Sequence, residues 1–230
     1  MKNKIAIYAV GGAVRDEILG LQNKDLDYSV EAESYQAMKD YIISIGGEIF
    51  LETPEYVTIR ARLGRDTADY VLCRKDGAYS DGRRPDTIEA GTLYDDLSRR
   101  DFTCNAIAKD YDGNYIDPFD GMQDIKDRVI RCVGNANDRI SEDWLRMLRA
   151  IRFSITKGFR IEGSILKMFN DSYATKKLCE TVSEERIREE VYKMFKADTR
   201  ETIMFFGLYP KMSYACFSGN IWLKPTTENK

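Results

Sequence analysis

Residues 10–30 read VGGAVRDEILGLQNKDLDYSV, and they place a glycine pair and two spaced aspartates either side of a short helix-forming stretch. The apolar run IAIYAV (5–10) before Gly11 and Gly12 has strand character, and AVRDEILGL after them is helix-forming. Two glycines at a strand-to-helix corner let backbone approach a ligand, and the free N–H groups of the first helical turn favour a phosphate. Arg15 would add a mobile positive charge there. Taken alone, the pair is also compatible with an ordinary corner. Further on, Asp25 and Asp27 run into YSVEA (28–32), a second strand. Side chains two apart on a strand share a face, so these carboxylates repel unless water or a cation lies between them. Next to a phosphate-binding turn, a hard divalent ion would satisfy both.

Outward from this stretch, SYQAMKDYIISI (34–45) predicts a helix capped by Ser34 and ended by Gly46-Gly47. EYVTIRARL (55–63) and ADYVLCR (68–74) alternate as strands around RLGRD, which predicts a hairpin in a mixed or antiparallel sheet. KDGAYSDGRRPDTIEAG (75–91) is rich in Gly, Asp and Arg and reads as a long mobile loop. From about residue 140 the pattern turns helical, through SEDWLRMLRAIRF (141–153) and SEERIREEVYKMF (183–195). The expected organisation is an α/β head over 1–134, a helical part over 135–196 and a short end over 197–230.

Composition narrows the chemistry. With 230 residues, 43% hydrophobic, 32% charged and a net charge of −3, the chain is that of a folded protein and is not basic throughout. It has no run long enough to span a membrane and no secretory leader pattern, so the cytoplasm is expected. Five scattered cysteines without a Cys-x-x-Cys give neither a zinc site nor a disulfide framework. The absence of histidine removes Ser-His-Asp and Cys-His catalysis and histidine-bound zinc. Any metal must then be held by oxygen, which indicates Mg2+, with Mn2+ as the other choice.

Three further groups of residues carry chemistry. Asp69, on the second strand of the expected hairpin, is a third carboxylate that a neighbouring strand could bring to Asp25 and Asp27. In LSRRDFTCNAIAKD (97–110), Arg100 suits triphosphate oxygens and Asp101 can accept from a ribose hydroxyl, with Asn105 nearby. The same Arg-Arg-Asp could instead cap a helix with an exposed salt bridge. In SEDWLRMLRAIRF, with Ser141 as N-cap, Asp143, Arg146, Arg149 and Arg152 recur every three residues as one slanted helical stripe. Leu145, Leu148 and Ile151 make a parallel apolar one. Cytosine and adenine both offer an amino donor beside a ring-nitrogen acceptor, so one aspartate and one arginine would admit C and A and reject U and G. Asp143 and Arg146 provide that pair.

These residues, taken together, resemble the class II tRNA nucleotidyltransferases, or CCA-adding enzymes, and the bacterial poly(A) polymerases that share their fold. VGGAVRDEILGLQNKDLDYSV is similar to that family's Gly-Gly-x-Val-Arg-Asp and Asp-x-Asp motif, RRDFTCNAIA to its ribose and triphosphate motif, DPFDGMQDIKDRVIRCVG (117–134) to its head–neck segment, EDWLRMLRAIRF to its nucleotide-selecting helix, and VSEERIREEVYKMF to the next neck helix. Five motifs in order over about 180 residues make the likeness specific. The resemblance implies an α+β, polymerase-β-like head with a mixed sheet, followed by an all-helical neck, with Asp25 and Asp27 holding magnesium and Asp69 as a weaker third catalytic acid. It further implies nucleotide contacts from Gly11, Gly12, Arg15, Arg100, Asp101, Asn105, Asp143, Arg146, Arg149 and Arg152. The implied activity adds CMP and AMP from CTP and ATP to a tRNA 3′ end. The loop with Gly82, Arg83 and Arg84 favours A addition; CC-only, A-only or poly(A) addition, or an inactive RNA-binding remnant, are the alternatives. Family members usually continue well beyond this length, which leaves tRNA to be held by the neck alone, by a partner or second copy of the chain, or an altered RNA substrate to be used.

Overall fold

A computed structural model describes residues 5–23 and 26–217 of the chain. The apolar run before the glycines forms β1 (Ala6–Val10), and α1 (Gly12–Ile18) follows at once, so Gly11 makes the corner at φ +70°. That backbone conformation costs little only when no Cβ is present. The chain returns as β2 (Leu26–Glu31) and then α2 (Tyr35–Ser44), where Ser34 Oγ accepts from Ala37 N at 3.1 Å in the expected cap.

The next strand, β3 (Glu48–Thr53), has no counterpart in the sequence reading. It lies at the sheet edge with Phe50 and Leu51 exposed, and its register slips between Ile49 and Leu51. A bulged edge strand loses the period-two signal by which strands are recognised. β4 (Thr58–Leu63) and β5 (Asp66–Leu72) form the expected hairpin, closing at Leu63 opposite Asp66. The segment read as one long loop is paired at both ends: β6 (Arg74–Asp76) lies antiparallel to β7 (Ile88–Ala90). α3 (Leu93–Ser98) opens with a capping box in which Thr92 and Asp95 exchange hydrogen bonds. A 3-10 turn at Thr103–Asn105, the short strands β8 (Ala108–Lys109) and β9 (Tyr115–Ile116), and α4 (Gly121–Asp127) follow.

Seven strands form one sheet in the order β3-β4-β5-β2-β1-β8-β9. The β2–β5 pair is parallel and its neighbours are antiparallel, so the sheet is mixed, as expected. Strand alternation then sorts side chains onto two faces. Val30, Ile59, Ala61, Tyr70 and Leu72 pack with Met38 and Ile42 of α2 in the core. Met38 and Ile42, four residues apart and almost fully buried, each contribute roughly 2 kcal/mol to holding α2 on the sheet. The intervening positions, Asp27, Ser29, Arg60 and Asp69, belong to the opposite face.

The chain divides into two compact units, one of residues 1–78 with 85–127 and one of residues 79–84 with 128–230. In the second, β10 (Val129–Ile130) precedes α5 (Ala136–Glu142), α6 (Leu145–Lys157), β11 (Arg160–Ile161), α7 (Gly163–Phe169), α8 (Ser172–Thr181), α9 (Glu184–Ala197), α10 (Thr199–Leu208) and α11 (Pro210–Phe217). The single helix expected from Ser141 is in fact two. α5 is capped by Asn135, Ser141 lies inside it, and the backbone at Asp143 is extended at φ −148°, ψ 102°. Asp143 Oδ1 accepts from Leu145 N at 3.1 Å, and this local bond competes with continuing the helix. Leu145, Leu148 and Ile151 are buried on α6, as their spacing predicts. Among the described residues, all five cysteines are free thiols, and no helix is long and apolar enough to cross a membrane.

Candidate active site

The first unit gathers most of the predicted head residues around the Gly11 corner. Asp27 on β2 stands beside Asp69 on β5 in the parallel register, and Asp69 faces Arg60 across the β4–β5 pair. Arg60 Nε meets Asp69 Oδ1 at 2.8 Å and its Nη2 donates to Oδ2 at 3.2 Å. Asp69 is thus a carboxylate whose charge is met by a forked guanidinium. Asp27 is exposed, and Asp25 lies outside the described residues. Among the described residues no three acidic or thiol side chains cluster as a metal site. The donor chemistry nevertheless fits a hard divalent cation, since Asp27 offers carboxylate oxygen at an exposed strand position and the chain contains no imidazole.

Two residues after Asp27 on β2, Ser29 is buried and donates to Asp96 Oδ2 at 2.8 Å. Asp96, on α3, is fully buried and also accepts from Arg99 Nε at 3.0 Å and Arg100 Nη2 at 3.0 Å. Burial would push the Asp96 carboxyl up; the Arg100 and Arg99 guanidiniums and the Ser29 hydroxyl outweigh it and hold the group at about 2. Arg100 reaches the corner as well: a Cβ on Gly11 would lie 2.9 Å from its Nη1. The second reason for a glycine at this position is therefore close approach by the arginine. Asp96 and Ser29 were absent from the sequence reading. The available signal was spacing, because Asp96 lies three and four residues before Arg99 and Arg100 at the end of a helix.

Arg15 is not the mobile charge expected. It is 5% exposed, with Nε and Nη2 donating to Asp16 Oδ1 at 2.9 and 2.8 Å and Nη1 donating to Asn105 Oδ1 at 2.6 Å. Asn105 Nδ2 in turn donates to Asp101 Oδ1 at 3.0 Å, which also accepts from Phe102 N at 2.8 Å. Arg15, Asn105 and Asp101 are buried together, and this chain of hydrogen bonds locks the first turn of α1 to the 3-10 turn. A charged group is held inside a protein when its donors are matched in this way.

In the second unit, Asp143 Oδ2 accepts from Arg186 Nη2 of α9 at 3.0 Å. Arg146 is 8% exposed and donates through Nη1 to Arg139 O at 2.6 Å and Glu142 Oε2 at 2.8 Å. Arg149 and Arg152 lie over the Phe153 ring at 5.5 and 4.2 Å from its centroid, and Arg152 Nε donates to Glu190 of α9. The arginines of α6 are held in place and are not a freely solvated face. Gly82, of the 79–84 segment, lies against Trp144 beside this helix break, where a Cβ would come 3.0 Å from the indole Nε1. Arg186 and Glu190 were also missed; they fix Asp143 and Arg152 from more than 35 residues away, beyond any local spacing rule.

Residues 7–131 match the poly(A) polymerase head domain. The chain belongs to that family. Its similarity runs to CCA-adding enzymes: that of Lactococcus lactis subsp. cremoris (strain MG1363) is 38% identical over 193 residues, covering 81% of this chain and 46% of the relative. The Bacillus stearothermophilus CCA-adding enzyme solved with CTP superposes with a TM-score of 0.76 at 30% identity, over 88% of this chain and 47% of that one. A tRNA nucleotidyltransferase solved with a primer tRNA and an incoming ATP analog gives 0.73 at 28% identity, over 95% and 61%. The chain spans about half the length of the curated relatives it matches. For a member of this family, the head described above and the helical unit after it agree with the expected α+β head and helical neck.

Proposed function

We propose that the chain is a template-independent nucleotidyltransferase that adds CMP and AMP from CTP and ATP to the 3′ end of tRNA, releasing pyrophosphate. The observation that carries this reading is Asp27 on the strand face that also holds Ser29, two residues along β2, where Asp96 and Arg100 meet at the Gly11 corner. It is supported by similarity to CCA-adding enzymes, one solved with CTP and a related transferase with a primer tRNA and an ATP analog.

In the reaction, the RNA 3′ hydroxyl loses its proton to solvent as its oxygen attacks the α-phosphorus in line, a new P–O bond forms, and the bond to the pyrophosphate oxygen breaks. Asp25 and Asp27 would hold Mg2+ or Mn2+, which when bound stabilises negative charge on the phosphoryl oxygens. Asp69 stands next to Asp27 as the third acid, its charge balanced by Arg60. Arg100 with the Gly11-Gly12 corner takes the triphosphate, while Arg15, Asn105 and Asp101 hold that corner and the 3-10 turn in place. Asp143 accepts from the exocyclic amine of C or A and Arg146 donates to the adjacent ring nitrogen, with Arg149 and Arg152 completing the positive stripe.

The family match to a poly(A) polymerase head favours poly(A) addition as the second reading. Purified chain is supplied with tRNAs ending before CCA, after CC and after CCA, with one nucleotide at a time. CMP then AMP incorporation that stops at CCA supports CCA addition; repeated AMP incorporation on completed ends supports poly(A) addition. Asp27→Ala should abolish either, and near-normal incorporation by that variant would sink the carboxylate mechanism.

A further inference from the structure

Arg99 and Arg100 converge on a single carboxylate that no solvent reaches. Asp96 Oδ2 accepts from Ser29 Oγ at 2.8 Å and from Arg100 Nη2 at 3.0 Å, and Arg100 Nη2 donates to Ser29 Oγ at 3.2 Å, which closes a triangle of three side chains. The other arm, Nη1, donates to Asn105 O at 3.3 Å and passes against Gly11. The guanidinium is thus fixed from α3, from β2 and from the 3-10 turn, with one face of its fork toward the corner. Arg99 occupies Asp96 Oδ1 and has Asp76 3.8 Å from its Nη1. Three guanidiniums, of Arg74, Arg99 and Arg100, against the two buried carboxylates of Asp76 and Asp96 leave a net positive charge at this end of α3. An arginine held in one geometry loses less freedom when it takes up an anion than one searching solvent.

We propose that Asp96 is a positioning residue for nucleotidyl transfer: it sets the Arg100 guanidinium against Ser29, two residues from Asp27 on the same strand, ready for the triphosphate of the incoming nucleotide. This rests on the transferase reading above. Asp96 is fully buried and touches no substrate; it acts through Arg100. The fully buried position also explains why an aspartate is used: a glutamate would need another methylene of space in a packed region.

The test is a double-mutant cycle on the full chain, with Asp96→Asn and Arg100→Gln made singly and together and CMP incorporation measured against CTP and tRNA. Asp96→Asn should lower kcat/KM for CTP by about tenfold to a hundredfold, the range for a hydrogen bond to a charged group, and leave KM for tRNA unmoved. In the Arg100→Gln background the same change should cost less than about twofold, because the group it positions is gone. Wild-type kcat/KM in Asp96→Asn, or losses that multiply in the double variant, would overturn the proposal. Should Asp96→Asn fail to fold, Ser29→Ala takes its place: it leaves the ion pair and should lower kcat/KM about threefold, an effect absent in the Arg100→Gln background. Multiplying losses there overturn the proposal equally. Inorganic tripolyphosphate binding, measured by titration calorimetry on the same proteins, separates this claim from the transferase reading. No incorporation by the wild type refutes transfer alone, whereas equal tripolyphosphate affinity in wild type and Asp96→Asn refutes the placing of Arg100 by Asp96.

Discussion

Acid should loosen the head through Asp96, and the size of the effect follows from its surroundings. The folded-state carboxyl is held at about 2 against an ordinary value of 3.8, by the Arg100 and Arg99 guanidiniums and despite complete burial. A depressed acid stabilises the folded chain in full above its unfolded value, because there the unfolded chain has no proton advantage. As pH falls through 3.8 the unfolded chain takes up the proton first, and the stabilisation is gone once pH passes below about 2. A shift of that size is worth roughly 2 kcal/mol, of which about 1 kcal/mol should be lost by about pH 3. Other carboxylates titrate in the same window, so the quantity to measure is a difference. Urea unfolding of wild type and Asp96→Asn is followed by circular dichroism at about pH 5, 4 and 3. The variant lacks the titrating group and keeps the rest, so most other contributions cancel. Asp96→Asn should be the less stable protein at pH 5, since Arg100 loses its buried counter-charge, and the gap should narrow by about 1 kcal/mol towards pH 3. A gap constant to within a few tenths across that range would refute the account of Asp96 as a buried, charged partner.

Gly121→Ala should destabilise the head by about 3 kcal/mol, because a Cβ there would stand 2.1 Å from Thr103 O and 2.8 Å from its carbonyl carbon, and backbone cannot swing aside as a side chain can. An unchanged thermal midpoint would refute this. Arg186→Gln takes the charged partner from Asp143 Oδ2, so the preference for CTP over UTP should fall about tenfold with a smaller loss of turnover. Single-nucleotide incorporation with each triphosphate measures it, and an unchanged ratio would show that Arg186 does not orient Asp143.

What could be read ahead of the structure depended on whether the partner was near in sequence. β1, β4 and β5 carry apolar positions at alternating or continuous spacing and are flanked by glycine or polar turns, so local pattern identifies them. β3 shares the sheet but is exposed at the edge and bulged at Phe50, and no periodicity survives for a pattern to report. The helix break at Asp143 was hidden for the opposite reason. Helix-forming residues flank it on both sides and the three-residue arginine period passes over it; only the side-chain bond from Asp143 to Leu145 N, and the extended backbone it favours, separate α5 from α6. Asp143 therefore does not share a helical face with Arg146, Arg149 and Arg152, and its direction is set by Arg186 instead.

The same distinction governs the candidate site. The Asp-x-Asp spacing indicates from sequence alone that its two carboxylates share a strand face, whereas the neighbour of Asp27, Asp69, depends on the parallel register of β2 with β5, a pairing between segments about 40 residues apart. Arg15 reads as exposed because it stands in the first turn of a short helix; it is buried because Asn105, 90 residues on, accepts a hydrogen bond from its guanidinium and Asp101 holds Asn105. The consequence for chemistry is specific. If Arg15 is a structural strut and Arg100 the arginine presented to phosphate, replacing Arg15 should act on the stability of the α1 corner as much as on nucleotide affinity, while replacing Arg100 should act on affinity with less effect on folding. A glycine corner followed by arginine thus marks where a phosphate binds without marking which arginine binds it; that choice is made by which guanidinium the buried carboxylates have already claimed, and here Asp16 claims one while Asp96 holds the other at Ser29.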